Sequence, residues 1–285
     1  MTISGKARLA GVIGWPVAHS LSPRMHGFWL AAHAIDGAYI PLAVQAQDFR
    51  SVLAALQKAG FAGVNVTVPH KQAAFAAADE RDDAAKASGA VNLLLFAPDG
   101  KIVGRNTDIG GLAASLSDDL GKGALVGKSA AVLGAGGAAR AAALALAQLG
   151  ANDIRIVARD PERARRLAEE LDTRAGLNAF AWEEWPRGAE GVSILVNATS
   201  AGMLGNPPLE ISLEPLPVSA AVCDVVYNPL ETKLLRRAST TGHRAIDGLG
   251  MLMHQAVPAF AAFYGEEPKV TPALRAELKK ALRHG

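Results

Sequence analysis

The sequence predicts two α/β domains, and three observations support this. The chain has 285 residues, which at about 150 residues per domain favours two domains. Strand-like and helix-like segments alternate through both halves, which indicates parallel sheets with crossover helices. Residues 129–150 contain an apolar strand, a glycine turn and a long helix, an order typical of a Rossmann-type dinucleotide-binding domain.

The first half alternates between the two patterns. Strands are predicted at residues 9–15, 38–44, 63–69, 90–96 and 101–107, and helices at residues 46–60, at residues 72–80 and from Ser22-Pro23 onward. Ser22 is expected to cap its helix. Asp99-Gly100 lies between two strands and predicts a hairpin.

The second half continues the alternation. After the glycine turn, strands are predicted at residues 153–160, 192–199 and 221–228, and helices at residues 161–171, 232–242, 247–265 and 271–285. Thr271 followed by Pro272 indicates a helix cap.

Composition excludes several classes of protein. Half of the residues are hydrophobic and the net charge is +2, with acids and bases mixed, so neither a disordered chain nor a nucleic-acid surface is expected. The single cysteine, Cys223, suits a reducing compartment, and no signal peptide or membrane span is predicted. We therefore expect a soluble cytoplasmic protein. The histidines lack metal-ligand spacing, so no metal site is expected. Trp182 and Trp185 are expected to be packing residues, and the alternative is a base-stacking platform.

The glycine turn has the sequence LGAGGAAR. Gly134 permits the tight turn, Gly136 lets the backbone approach a pyrophosphate, and Ala139 lets helix and strand pack closely. The helix N-terminus offers unpaired N–H groups to a phosphate. Dinucleotide binding is therefore predicted, and the alternative is a turn that serves packing alone.

The choice between NADP and NAD depends on the end of the second strand of this domain. Arg159 and Arg163 suit a 2′-phosphate, and no acid stands at Ala158 to bind a ribose 2′-hydroxyl. Asp160 would repel the phosphate, but it precedes Pro161 and a helix and so is expected to serve as an N-cap. NADP is predicted, and the alternative is that both arginines form a solvated helix start.

Lys71 follows a predicted strand, at the end where open α/β sheets place their ligands. Other polar residues also occupy strand ends or junctions; they are Ser20, Ser22, Asn92 and Asp108. Each also has a structural explanation: Lys71 as a solvated surface lysine, Ser22 and Asp108 as helix caps, and Asn92 as a turn or strand-end residue.

Seven segments, in order, resemble the shikimate dehydrogenase family over almost the whole chain. They are GWPVAHSLSPRMH, GVNVTVPHK, GAVN, GRNTDIGG, GAGGAAR, NATSAGM and DGLGMLMHQA. The resemblance implies NADPH-dependent, reversible reduction of 3-dehydroshikimate to shikimate, in chorismate and aromatic amino-acid biosynthesis. It also implies a discontinuous α/β substrate-binding domain (residues 1–107 plus 249–285), a Rossmann domain for NADP (residues 108–248) and a cleft between them.

The resemblance also implies roles for individual residues. Lys71 would be the catalytic acid/base and Asp108 its partner. Substrate contacts would come from Ser20, Ser22, Thr67, Lys71, Asn92, Asp108, Tyr227 and Gln255. Cofactor contacts would come from Asp83, Gly134, Ala135, Gly136, Gly137, Ala138, Ala158, Arg159, Arg163, Val225 and Gly248.

Two departures from the family pattern affect the cofactor site. The usual Asn-Arg-Thr before a basic residue is Ala158-Arg159-Asp160 here, and Val225 stands where many members have methionine. Two rivals remain: a quinate/shikimate dehydrogenase paralogue that uses NAD, and a non-catalytic NADP-binding regulatory protein. A homodimer is an open alternative.

Overall fold

The computed structural model describes residues 3–284 and divides into two compact units. The first unit ends at Thr107 and resumes at Gln255, and the second is Asp108–His254. The chain therefore passes between the units at two places. The sequence analysis placed the second of these between residues 248 and 249.

The elements follow the predicted alternation. The strands are β1 (Arg8–Gly14), β2 (Gly37–Ala43), β3 (Gly63–Val66), β4 (Glu80–Arg81), β5 (Leu93–Phe96), β6 (Ile102–Arg105), β7 (Ser129–Leu133), β8 (Asp153–Ala158), β9 (Gly176–Ala181), β10 (Ile194–Asn197), β11 (Ala221–Asp224) and β12 (Arg244–Ile246). The helices are α1 (Ser22–Ala32), α2 (Phe49–Lys58), α3 (Lys71–Ala77), α4 (Asp83–Ser88), α5 (Asp108–Leu120), α6 (Gly137–Gln148), α7 (Pro161–Glu170), α8 (Trp185–Ala189), α9 (Lys233–Thr240), α10 (Leu249–Tyr264) and α11 (Pro272–His284).

The first unit contains a six-stranded mixed sheet with the order β2-β1-β3-β5-β6-β4. β1 pairs in parallel with β2 and β3, but β5 is antiparallel to both β3 and β6. The prediction of a parallel sheet in this half is therefore wrong for β5. The hairpin at Asp99-Gly100, which the sequence predicted, reverses the chain between β5 and β6 and accounts for that antiparallel pair.

The second unit contains a six-stranded sheet in which all pairs are parallel, as predicted, with the order β12-β11-β10-β7-β8-β9. The chain builds outward from β7 to β9 and then restarts on the other side with β10. This reversal is the switch point of a doubly wound sheet, where ligands bind at the carboxyl ends of the strands. The predicted α/β class is confirmed.

Helix starts test the local predictions. Asp160 accepts hydrogen bonds from the backbone N–H groups of Glu162 and Arg163, at 3.1 and 3.2 Å, so its predicted N-cap role is confirmed. Thr271 likewise caps α11. The predicted cap at Ser22 is wrong, because Leu21 occupies the N-cap position and Ser22 is the first helical residue.

Among residues 3–284, no helix is both long and apolar enough to cross a bilayer.

Candidate active site

The loops that follow β1 and β3 lie side by side in the first unit. The Trp15 N–H donates to the Val68 carbonyl at 3.1 Å, and the Thr67 N–H donates to the Ile13 carbonyl at 2.9 Å. At Gly14 a Cβ would lie 2.5 Å from Cγ2 of Thr67, so only glycine allows this approach. The parallel pairing thus brings the Ser20 loop beside Thr67.

Lys71 is the first residue of α3 and is half-buried. The predicted strand through Val68 ends earlier, at Val66, so Lys71 begins a helix. The preceding His70 is buried, with Nε2 at 2.7 Å from the Val44 carbonyl oxygen and its ring stacked on Phe49. This contact anchors the start of α3 and fixes the backbone of Lys71.

Asn92 lies beside the Lys71 backbone, since the Lys71 carbonyl accepts from the Val91 N–H at 3.0 Å. The buried Asn92 side chain donates to Oγ1 of Thr107 at 2.9 Å and accepts from the Thr107 N–H at 2.8 Å. Asn92 therefore holds the residue that immediately precedes Asp108. Its predicted contact with substrate stays a prediction.

A polar chain that the sequence analysis missed supports these residues. The Tyr39 hydroxyl donates to Oδ1 of Asn65 at 2.7 Å, and Asn65 Nδ2 donates to the Asn92 carbonyl at 3.2 Å. Ser22 also hydrogen-bonds the Tyr39 side chain, and burial raises the pKa of Tyr39 well above its ordinary value. Tyr39 occupies a strand-like segment, and nothing in the sequence distinguished it from a packing residue.

The predicted substrate residues are distributed over the two units. Ser20, Ser22, Thr67, Lys71, Asn92 and Gln255 belong to the first unit. Asp108 is buried at the start of α5, and Tyr227 is half-buried after β11; both belong to the second unit. The roles of these residues stay predictions.

The glycine turn joins β7 to α6 in the second unit. Gly134 has a φ of +107°, and its N–H donates to the Val157 carbonyl at 2.8 Å. No protein atom lies within 4 Å of a Cβ built at Gly136, so the space above this residue is open to a ligand. Ala139 is fully buried, as helix–strand packing requires.

A cavity of about 900 Å³ lies at this turn. Six predicted cofactor residues line it: Gly134, Ala135, Gly136, Ala158, Arg159 and Arg163. Gly137 and Ala138 do not line it and form the first turn of α6. The other lining residues were not predicted to contact a cofactor; among them are Asp160, Trp182, Thr199, Ser200, Asn206 and Glu210. Thr199 and Ser200 follow an apolar strand in the NATSAGM segment, a position that could have identified them.

The end of the cavity at Arg159 and Arg163 carries two positive charges, and the Asp160 carboxylate, which also lines it, accepts hydrogen bonds from the first turn of α7. Arg165, on the same helix as Arg163, is paired with Glu162 and Glu169. Within residues 3–284, by contrast, neither Arg159 nor Arg163 has a side-chain hydrogen bond or ion pair, and both are exposed. The carboxylate of Glu210 is engaged by Lys233 and Arg237, which neutralises it.

A buried network connects the cavity to the loop after β11. Asp224 accepts from Nδ2 of Asn197 at 2.9 Å, from the Val226 N–H at 3.1 Å and from Oγ1 of Thr232 at 2.7 Å. Burial raises the pKa of Asp224 to about 6, against the lowering effect of these donors. Asn197 also accepts from the N–H and hydroxyl of Thr199, which lines the cavity. The network thus fixes the position of Thr199, at the cavity, relative to Val226, in the loop after β11.

Val225 and Gly248, both predicted to lie beside the nicotinamide, contact each other. A Cβ at Gly248 would lie 2.4 Å from the carbonyl oxygen of Val225 and 2.8 Å from that of Val226. Neither residue lines the cavity at the glycine turn. Asp83, the remaining cofactor candidate, lies in α4 of the other unit, where its carboxylate pairs with Lys86. These cofactor roles stay predictions.

We expect Gly248→Ala to destabilise the second unit. The new methyl group must displace the Val225–Val226 backbone, and such overpacking costs about 1–3 kcal/mol of unfolding free energy. The measurement is the melting temperature by circular dichroism. Gly110→Ala is the matched control, because a Cβ at Gly110 in α5 meets open space and alanine favours a helix. Equal melting temperatures for the two variants would contradict the expected clash.

Comparison with known proteins identifies the family. The family model described as shikimate dehydrogenase substrate binding domain matches residues 12–94, and that described as shikimate/quinate 5-dehydrogenase matches residues 117–204. A shikimate dehydrogenase (NADP(+)) of Rhodospirillum rubrum is 50% identical over 276 residues, which cover 96% of this chain and 98% of the relative.

Two solved structures, one of a shikimate dehydrogenase and one of a quinate dehydrogenase, match nearly the whole chain. Shikimate 5-dehydrogenase from Thermus thermophilus, in complex with NADP(H) and shikimate, has a TM-score of 0.83 and 36% identity, covering 97% of this chain and 98% of that one. Quinate dehydrogenase from Corynebacterium glutamicum, in complex with NAD, has a TM-score of 0.86 and 30% identity, covering 97% and 99%. The chain belongs to the family of NADP-dependent shikimate dehydrogenases.

Proposed function

We propose that this chain catalyses the reversible, NADPH-dependent reduction of 3-dehydroshikimate to shikimate. It is an NADP-dependent oxidoreductase of the shikimate pathway. The observation that carries the cofactor assignment is the cavity at the glycine turn. At its proposed adenosine end lie Arg159 and Arg163, whose side chains make no hydrogen bond or ion pair with residues 3–284. Its residues fit NADP: Gly134 permits the tight turn with its positive φ, Gly136 leaves open space for a pyrophosphate, and the start of α6 offers backbone N–H groups.

Lys71 supplies the proton in the proposed reaction. When bound, NADPH supplies the hydride, and negative charge then develops on the substrate oxygen. The Lys71 ammonium stabilises that charge and donates the proton to it. Asp108 orients the ammonium in this proposal. Anchoring of α3 by His70 holds the lysine backbone in a fixed place, as proton transfer requires.

The remaining polar residues are proposed to orient a small polyol carboxylate. Ser20, Ser22 and Tyr227 bind the carboxylate, and Thr67, Asn92, Asp108 and Gln255 bind the ring hydroxyls or the carboxylate end. Hydroxyl and amide groups can both donate and accept, which suits a ring with several hydroxyls. The chain Ser22–Tyr39–Asn65 supports this set, since it joins α1, β2 and β3 through side chains.

Val225 and Gly248 are proposed to lie beside the nicotinamide, and Asp83 near the cofactor. A cytoplasmic location and a homodimer are further proposals. The first rests on the lone cysteine: Cys223 is buried and its pKa is raised by that burial, which is the behaviour of an inert packing residue rather than a disulfide partner. Size-exclusion chromatography with light scattering tests the second.

The test of the proposed function is NADPH formation, followed by its near-ultraviolet absorbance. Purified protein receives shikimate or quinate, each with NADP⁺ or NAD⁺. Turnover confined to shikimate with NADP⁺ is the expected result. Turnover with quinate and NAD⁺ would instead assign the chain to the activity named for the Corynebacterium glutamicum relative. Binding of NADP⁺ without turnover would favour a non-catalytic protein.

We expect Arg159→Ser with Arg163→Ser to lower the preference for NADP⁺ over NAD⁺. Each charge-assisted hydrogen bond to a phosphate contributes about 1.5–3 kcal/mol, so kcat/KM for NADP⁺ should fall by about 100-fold or more. The value for NAD⁺, which has no 2′-phosphate, should change little. Arg165→Ser is the matched control, because Arg165 is engaged by Glu162 and Glu169. An unchanged ratio would exclude the arginines as the 2′-phosphate site.

A further inference from the structure

Trp182 stands where the cavity meets the end of β9. It follows Ala181, which pairs in register with Ala158 on the neighbouring strand β8. Trp182 therefore lies one strand beyond the Ala158-Arg159 step, at the same carboxyl edge of the sheet. It lines the cavity together with both of these residues. It begins a 3-10 turn that ends at Glu184, whose side chain accepts from the Ala181 N–H at 2.8 Å and fixes that turn.

Trp182 and Trp185 differ in their surroundings. Trp185 is buried, and its indole Nε1 donates to the Ser212 carbonyl at 2.7 Å, which identifies it as a packing residue. Trp182 is half-buried and packs on one side against the core cluster that contains Val157 and Leu209. Its indole N–H makes no hydrogen bond with any residue that the structure describes. One side of Trp182 is therefore held by the core, while the ring also faces the cavity.

Charge and strand order indicate which part of a bound dinucleotide would reach Trp182. A 2′-phosphate held by Arg159 and Arg163 would place the adenosine ribose at the end of β8. The adenine base attached to that ribose would then lie toward β9, the next strand outward. Ala158 has only a methyl group where the family pattern has an asparagine, so its side chain offers no amide to the adenosine. A flat apolar ring beside Ala158 can instead bind the adenine by stacking.

We infer that Trp182 stacks against the adenine ring of the bound dinucleotide. The inference rests on the proposed function, since it takes NADP as the ligand of the cavity. It goes beyond the sequence-based expectation that Trp182 is a packing residue. Stacking on an aromatic side chain contributes about 10- to 100-fold in affinity per base, as judged by truncation to alanine. Trp182 would thus substitute for the missing asparagine contact.

The experiment is calorimetric titration of the full chain with 2′,5′-ADP, which carries adenine and the 2′-phosphate but no nicotinamide. We expect Trp182→Ala to weaken binding by about 10- to 100-fold, and Trp182→Phe, which keeps an aromatic face, to retain most of it. In the enzyme assay, the KM for NADP⁺ should rise in Trp182→Ala, while kcat and the KM for shikimate stay unchanged. Trp185→Phe is the control for loss of a packing tryptophan.

A fluorescence signature separates stacking from a general loss of structure. Stacked adenine should quench Trp182, so 2′,5′-ADP should lower the tryptophan emission of the unsubstituted chain and of Trp185→Phe. The quench should disappear in Trp182→Phe even though calorimetry still detects binding. Equal affinities for the unsubstituted chain and Trp182→Ala, or a quench that persists in Trp182→Phe, would overturn the inference alone. Failure of the unsubstituted chain to bind 2′,5′-ADP or NADP⁺ would overturn the proposed cofactor as well.

Discussion

Lys71→Met is expected to lower kcat for shikimate oxidation by about 100- to 10,000-fold, the usual contribution of a general acid or base. Methionine retains most of the length of the side chain but has no proton to donate and no charge to set against a developing oxyanion. The KM for NADP⁺ should stay unchanged, because the residues that line the cofactor cavity belong to the second unit. Steady-state kinetics with both substrates varied measures these effects.

The matched control is Lys58→Met. Lys58 is an exposed lysine in the last turn of α2, in the same unit as Lys71, so the substitution removes the same charge from the surface of that unit. Its kcat should equal that of the unsubstituted chain. If Lys71→Met kept a tenth or more of the original turnover, Lys71 would not be the proton donor. A parallel loss in Lys58→Met would indicate a general electrostatic effect instead.

Two structural features that depend on residues adjacent in sequence were predicted correctly. Asp160 was assigned as an N-cap because Pro161 and the helical spacing follow it, and the side chain does accept from the first turn of α7. The glycine turn was identified because a strand and a helix flank it directly. The departure at Ser22 is also local: the turn that contains Ser20 brings Leu21 to the cap position one residue earlier.

Features set by residues distant in sequence could not be predicted. Tyr39 and Asn65 are neighbours only because β2 and β3 flank β1 in the folded sheet. Trp182 faces the cavity because β9 pairs with β8 in a particular register. No spacing rule connects these positions, because sheet order and register depend on the whole core. The candidate catalytic and binding residues were proposed from motifs, whereas the residues that support them in the structure had no motif.

His26 is a buried titratable group with a large expected effect on stability. It lies fully buried in the first unit, stacked on Tyr39 with ring centroids 3.8 Å apart, and near Trp29 and Phe260. Neither ring nitrogen has a hydrogen-bond partner among residues 3–284. Burial among apolar rings disfavours the charged form and lowers the pKa of His26 to about 3.

Because of this lowered pKa, the free energy of unfolding decreases as the pH falls. The unfolded chain binds a proton at His26 below its ordinary pKa of about 6.5, whereas the folded chain binds none until about pH 3. Stability from this residue is therefore complete above pH 6.5 and falls as the pH drops toward 3. The loss is about 2 kcal/mol between about pH 7 and pH 5, and about 4 kcal/mol by pH 3.

His26→Phe removes this dependence and keeps an aromatic ring against Tyr39. At pH 7 we expect a variant of nearly unchanged or greater stability, because two unpartnered nitrogens are replaced by apolar atoms of similar shape. The free energy of urea-induced unfolding, relative to the unsubstituted chain, should then rise by about 2 kcal/mol from about pH 7 to about pH 5. His33→Phe, at an exposed position of the same unit, controls for loss of a histidine. If the stability of His26→Phe relative to the unsubstituted chain were the same at both pH values, His26 would bind its proton equally in the folded and unfolded chains. The assignment of a buried, neutral imidazole would then be wrong.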